Sequence, residues 1–171
     1  QSMLNEACLA HDEGAIQKLV KMDADLNAFH PGFPFDSPLY ALLRDYKNHL
    51  PLILRVLVLG ADPVTPYSEG QNVLSKAVGN WKPDLFRVIM QSYKIKYESN
   101  LVKSGPVKPD LVKSILIGLT KAIEYVETFN CPGSLAIIYE VFDGMNPVAI
   151  VRELEAIHSS GQLGVVDPGQ L

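Results

Sequence analysis

A chain of 171 residues, 47% of them hydrophobic, can bury a sizeable core without covalent staples. A formal net charge of −4 and a pI near 5.5 speak against non-specific nucleic-acid binding, which needs a basic face to neutralise phosphates. Cys8 and Cys131 are too few for a disulfide framework or a metal cluster, and no membrane-length apolar run, glycosylation acceptor or signal-peptide pattern occurs, so a reducing cytoplasmic or nuclear location is expected. Met3 fits either a native start behind two extra residues or the interior of a longer chain.

Three segments align in chain order: Ser2-Met3-Leu4-Asn5-Glu6-Ala7-Cys8, Ser37-Pro38-Leu39-Tyr40-Ala41-Leu42-Leu43 and Asn72-Val73-Leu74-Ser75-Lys76-Ala77-Val78, starting at 2, 37 and 72 and so 35 residues apart both times. Each opens on a small polar residue able to cap a helix by accepting a bond from an orphan backbone N–H. A second helix follows each, with its apolar residues on one stripe: Ile16/Leu19/Val20, Ile53/Val56/Leu57 and Phe86/Ile89/Met90. The first two stripes end in Asp23-Ala24-Asp25-Leu26-Asn27 and Gly60-Ala61-Asp62-Pro63, residues suited to the left-handed backbone of a helix end. The third runs on through Ser92-Tyr93-Lys94-Ile95 without such a stop, and the second unit carries about two extra residues around Asn48 to Pro51. Each unit reads as short helix, tight turn, second helix and extended loop, and must stack on its neighbours to bury its stripe.

Residues 96–109, with Ser104-Gly105-Pro106 and Pro109, read as a connecting loop. A long amphipathic helix follows from Asp110, its expected cap, to about Glu127, and Gly118 in its interior requires a packing reason because glycine weakens a helix by about 1 kcal/mol. Ser134 is expected to cap a short helix that Asp143-Gly144 stops. Asn146 and Pro147 open a last helix that Gly161 closes, leaving 161–171 as an irregular tail. Residues 110–160 thus read as a helical C-terminal repeat or cap, behind three repeats in 1–95.

At Ser37-Pro38-Leu39-Tyr40, Gly60-Ala61-Asp62-Pro63 and Asp23-Ala24-Asp25-Leu26-Asn27-Ala28 the chain resembles the ankyrin repeat family, over about residues 2–95. The resemblance implies an all-α, ankyrin-like α-solenoid with a C-terminal helical cap. It departs from the family where that family's histidine is replaced by Asn5, Tyr40 and Ser75, so the usual bonding between repeats must be made another way.

Dinucleotide, P-loop, zinc-protease, nucleophile-elbow and EF-hand motifs are absent, and none of His11, His30, His49 and His158 stands at ligand spacing from a cysteine or carboxylate, so no catalytic residue, cofactor or metal is implied. Asp12 and Glu13 read as a solvated turn, Cys8 as a buried thiol and Cys131 as an exposed one. Lys94, Lys96, Lys103, Lys108, Lys113 and Lys121 form a basic band that either keeps a loop soluble or meets an acidic partner.

The candidate site is a partner-binding surface. Phe29, His30, Phe33 and Phe35 sit in the loop that forms a projecting finger in ankyrin-like stacks, and aromatics there must fold back or meet a partner. Tyr67 holds the matching place in the next finger. Arg44, Asp45 and Asn80, with Gly79, fall where the resemblance puts the concave groove, and Trp81 lies beside them. The expected function is a non-enzymatic module binding another protein or peptide segment. A regulatory or targeting domain of a larger enzyme, and a small-molecule site in the C-terminal third, stay open as alternatives.

Overall fold

A computed structural model describes residues 2–30, 37–67, 70–99 and 108–164. Among them the regular structure is helical throughout, and no helix is long and apolar enough to cross a membrane. The chain divides into two compact units, Gln1–Ser92 and Tyr93–Leu171.

The first unit holds three successive helix pairs: α1 (Ser2–Leu9) with α2 (Glu13–Lys21), α3 (Pro38–Leu42) with α4 (Leu50–Leu59), and α5 (Val73–Gly79) with α6 (Pro83–Tyr97), whose last turns belong to the second unit. Ser37 and Asn72 cap α3 and α5 as expected, whereas Ser2 is the first residue of α1; the Ser37 hydroxyl accepts from the Tyr40 N–H at 3.2 Å and the Asn72 side-chain Oδ1 from the Ser75 N–H at 2.7 Å. Ser75 returns the bond by accepting from the Asn72 N–H, so two orphan donors are satisfied reciprocally.

The period is written into the backbone. In the first turn Asp12 N–H donates to the Ala7 carbonyl at 3.0 Å, and 70 residues on Lys82 N–H donates to the Ala77 carbonyl at 2.7 Å. His11 and Trp81, with φ of 53° and 38°, hold the left-handed position of these turns, as Asp45 does at 56° in the second. The second turn differs because the extra residues form a 3-10 turn, Tyr46–Asn48, ahead of α4. Beyond it the register is restored 37 residues later: Ala24 N–H to the Leu19 carbonyl at 3.0 Å becomes Ala61 N–H to the Val56 carbonyl at 3.1 Å. Asp23 and Gly60, both at positive φ, end α2 and α4 equivalently, which a left-handed residue permits by returning the last free carbonyls to the chain. Ile16, Ile53, Val56, Leu57, Phe86, Ile89 and Met90 are fully buried, so the predicted stripes form the core, and the small Ala7, Ala41 and Ala77 are buried as well. Leu19 and Val20, at the outer end, are only half-buried.

One side chain ties consecutive pairs together. Asn27, in the loop after α2, donates its amide to the Gly60 carbonyl at 3.1 Å and accepts from the Asp62 N–H at 2.7 Å. It is presented by Asp25, whose carboxylate accepts from the Asn27 N–H at 2.8 Å, and Asp62 repeats that turn on the Val64 N–H at 3.0 Å. The bidentate Glu13–Arg55 pair links α2 to α4 on the exposed side, where ion pairs contribute little.

The second unit contains the end of α6, α7 (Pro109–Phe129), α8 (Ser134–Val141) and α9 (Pro147–Gly164). Several predicted caps move. Lys108, not Asp110, precedes α7, and Asp110 sits in its first turn, where its charge suits the helix N-terminus. Gly133 at φ 76° precedes α8, so Ser134 is its first residue and donates its hydroxyl to the Cys131 carbonyl at 2.8 Å. Asp143 and Gly144 stop α8, and Asn146 opens α9, accepting from the Val148 N–H at 2.9 Å. Gly161 does not close α9, which continues to Gly164 because one glycine costs less than the last turn's hydrogen bonds return.

Gly118 has a packing reason. An added Cβ would lie 2.1 Å from the ring of Tyr93, which is fully buried on α6. Lys96 is buried as well, its ammonium 5.9 Å from the centre of that ring. Tyr97 donates to Glu153 on α9 at 2.7 Å, and burial together with this bond pushes its phenol up to about 12.

Two outcomes follow from this packing. On an exposed helix Gly→Ala stabilises, but Gly118→Ala is expected to cost about 1–3 kcal/mol by displacing the Tyr93 ring, read from urea unfolding midpoints. Asn27→Ala should cost about 1–2 kcal/mol, because the Gly60 carbonyl and Asp62 N–H lose their partner together, and hydrogen exchange at Asp62 should accelerate.

Candidate functional site

The residues proposed for partner contact fall into two groups, set by the direction of the chain. The turns carrying His11, Asp45 and Trp81 lie at one end of each helix pair, and the loops after α2 and α4 at the other. Nine residues of α2 separate the two ends by roughly 13 Å.

At the turn end, Arg44 and Asp45 are exposed, as is Asn80, and Trp81 is half-exposed. Asp45 is fastened by its own turn, accepting from the Asn48 amide at 2.8 Å. Trp81 lies tilted against Phe86 of α6, ring centres 5.8 Å apart. Its φ of 38° is uncommon for a bulky side chain, since the left-handed region brings Cβ too near the following carbonyl, at a cost of roughly 1–2 kcal/mol. Gly79 and Asn80, the residues better suited to that conformation, stand immediately before it.

At the loop end, Phe29 is 43% exposed and His30 half-buried. Phe33 and Phe35 lie outside the described residues. Tyr67 does not offer an exposed finger contact. It is only 6% exposed, its ring 4.1 Å from that of Tyr40, with the Lys76 ammonium 4.9 Å from the Tyr40 ring on α3. Tyr67 N–H also donates to the Gln71 carbonyl at 2.8 Å, which ties it to the residue before the Asn72 cap of α5.

A cluster that spacing in the sequence did not disclose lies between the first two turns. The rings of His11 and His49 stack with centroids 3.6 Å apart and planes within 9°. His11 Nε2 donates to the Leu42 carbonyl at 3.2 Å, and His49 Nε2 stands 3.6 Å from the Asp45 carboxylate. The residues are 38 apart in sequence, and the only available hint was that both fall in equivalent turns of neighbouring repeats. Asp12 and Glu13 are not merely solvated: Asp12 caps α2 through the Ala15 N–H at 3.1 Å, and Glu13 holds Arg55. On the next turn Tyr46 donates to Asp84 at 3.3 Å while the Lys82 ammonium sits 4.7 Å from its ring, and burial, then the Asp84 charge, holds that phenol above its usual range.

The basic band is dispersed by the fold. Lys94 pairs with Asp143 at 2.9 Å and Glu98 at 3.6 Å, Lys121 pairs with Glu124 at 3.2 Å, and Lys96 is buried, leaving Lys108 and Lys113 exposed among the described members. The hydrogen bond to Asp143 is the main reason the Lys94 ammonium holds its proton more tightly than usual. In the C-terminal unit an open depression of about 620 Å³ lies at the α7–α8 turn, between Val126, Glu127, Asn130, Cys131 and Leu135. Its serine hydroxyl, on Ser134, is turned to the Cys131 carbonyl. No group of three or more metal-ligating side chains occurs among the described residues.

The chain matches no protein-family model, no curated protein and no solved structure.

Burial pushes the Cys8 thiol up to about 12 from 9.0, whereas Cys131 is half-exposed. Iodoacetamide at pH 8 is therefore expected to alkylate Cys131 and to spare Cys8 until the protein unfolds, as peptide mass spectrometry would show. The folded chain keeps the Cys8 proton where the unfolded chain has lost it. Its contribution to stability is thus complete below pH 9 and is lost as pH rises towards 12. The urea midpoint should fall between pH 9 and 11, and less steeply in Cys8→Ala.

Proposed function

We propose that the first unit is a divergent ankyrin-like solenoid serving as a non-enzymatic protein-binding module, and that its contact surface is centred on the turn residues Arg44, Asp45, Asn80 and Trp81, with Phe29 at the loop end. The observation that carries this reading is Trp81. A half-exposed tryptophan is held at positive φ beside a glycine and an asparagine that would adopt that conformation with little strain, and a strained aromatic of this kind is worth keeping where its ring has a use. Equivalent turns present the charged pair Arg44–Asp45 and the amide of Asn80, which gives a repeated polar surround for an aromatic anchor.

The ankyrin-like assignment is supported by the 35-residue spacing of the Ser37 and Asn72 caps and by the matching ends of α2 and α4. In place of the family's histidine network, Asn27 links the loops and the Tyr40–Tyr67 contact links α3 to the following loop. A purely structural Trp81, kept to cover Phe86, is the competing reading, and one substitution separates the two.

Trp81→Asn relieves the backbone while removing the ring. On the proposed reading it leaves the thermal midpoint within a few degrees of wild type, yet lowers partner affinity by about 2 kcal/mol or more, roughly thirtyfold. The partner is first captured from lysate on the wild-type chain and identified by mass spectrometry, and affinity is then measured by calorimetry. Undiminished binding by Trp81→Asn would remove the turn surface from the interface. A large fall in midpoint with unchanged affinity would make the ring a core element.

A further inference from the structure

We propose that the stacked imidazoles of His11 and His49 form a proton-operated clasp between the first and second helix pairs, closed with one proton or none and opened by the second. His11 stands on the α1–α2 turn and His49 immediately before α4, so the 3.6 Å stack joins two turns that the backbone does not connect directly.

Each ring also has a partner suited to its charged form. His11 donates to the carbonyl of Leu42, the last residue of α3, where the helix end carries partial negative charge. His49 lies 3.6 Å from Asp45. A single imidazolium therefore keeps both the stack and its partner. Two imidazolium rings face to face do not, because like charges repel most strongly at this separation and one carboxylate cannot neutralise both.

Among the described residues, the charged groups on these turns do not supply a second counter-ion. Asp12 on the same turn is engaged at the α2 cap, and Glu13 on α2 is matched by Arg55 on α4. Asp45 divides its carboxylate between His49 and Asn48 and is largely exposed. Arg44 and Lys47, adjacent on the second turn, are cations themselves, and beyond Tyr46 the third pair offers Lys82 with Asp84, the latter already accepting from Tyr46.

The sign is fixed by linkage. If the closed clasp resists the second proton and the unfolded chain accepts it, the unfolded chain binds more protons, and stability falls as pH falls.

The full chain serves for the test, as wild type and as His49→Phe, which keeps a flat ring on His11 and removes one charge. NMR contacts between the two imidazoles and the thermal midpoint are followed from pH 7.5 to 5.0. The expected result is loss of the His11–His49 ring contacts in wild type as the solution is acidified, with a midpoint falling roughly 2–4 °C further than in His49→Phe. Ring contacts that persist at pH 5.0, or equal midpoint losses in the two proteins, would overturn the proposal. Should His49→Phe fail to fold, the wild-type ring contacts decide the question alone.

Discussion

No helix pair of the first unit can bury its own apolar stripe, so each depends on being held at a fixed step from the next. Helix packing supplies most of the attraction but little of the register, because apolar contacts are not directional. The register comes from polar groups at both ends of the pairs. At the loop end Asn27 reads the backbone of the following loop with a donor and an acceptor together. At the turn end the His11 ring reaches the end of α3 and stacks on His49. A slip of one residue would break all of these contacts at once, which is how a few bonds of about 1 kcal/mol each can fix a stack.

The same constraint accounts for where irregularity is tolerated. The extra residues of the second pair are absorbed as a 3-10 turn between α3 and α4, and the following hydrogen bonds return to the pattern of the first pair at a new offset. An insertion at that turn leaves the Asn27 link untouched at the other end of the helices. The α3–α4 turn thus takes up extra residues while the loop-end link stays in place, and it carries Arg44 and Asp45, which suits the surface proposed for a partner.

In the second unit the organising contact is steric. Tyr93 needs a position on α7 without a side chain, and Gly118 provides it. The buried Lys96 beside the ring, and Tyr97 bonded to Glu153, turn the last turns of α6 into part of the C-terminal core. This also explains why the third repeat lacks the glycine stop of the second: α6 continues into the residues that make this core.

The sequence by itself determined the helical elements, the 35-residue spacing of the Ser37 and Asn72 caps, the core stripes and the need for a packing reason at Gly118, because periodicity, capping chemistry and the glycine penalty are local properties. It misplaced the start of α7 by two residues and that of α8 by one, and ended α9 early, since capping residues are interchangeable over such distances. Tertiary structure alone decided that Tyr67 is covered by Tyr40 rather than displayed, that Lys94 is taken up by Asp143, and that His11 meets His49. These are pairings between residues dozens of positions apart. Their side chains carry no mark in sequence of the partner that the stacking of one repeat on the next brings to them.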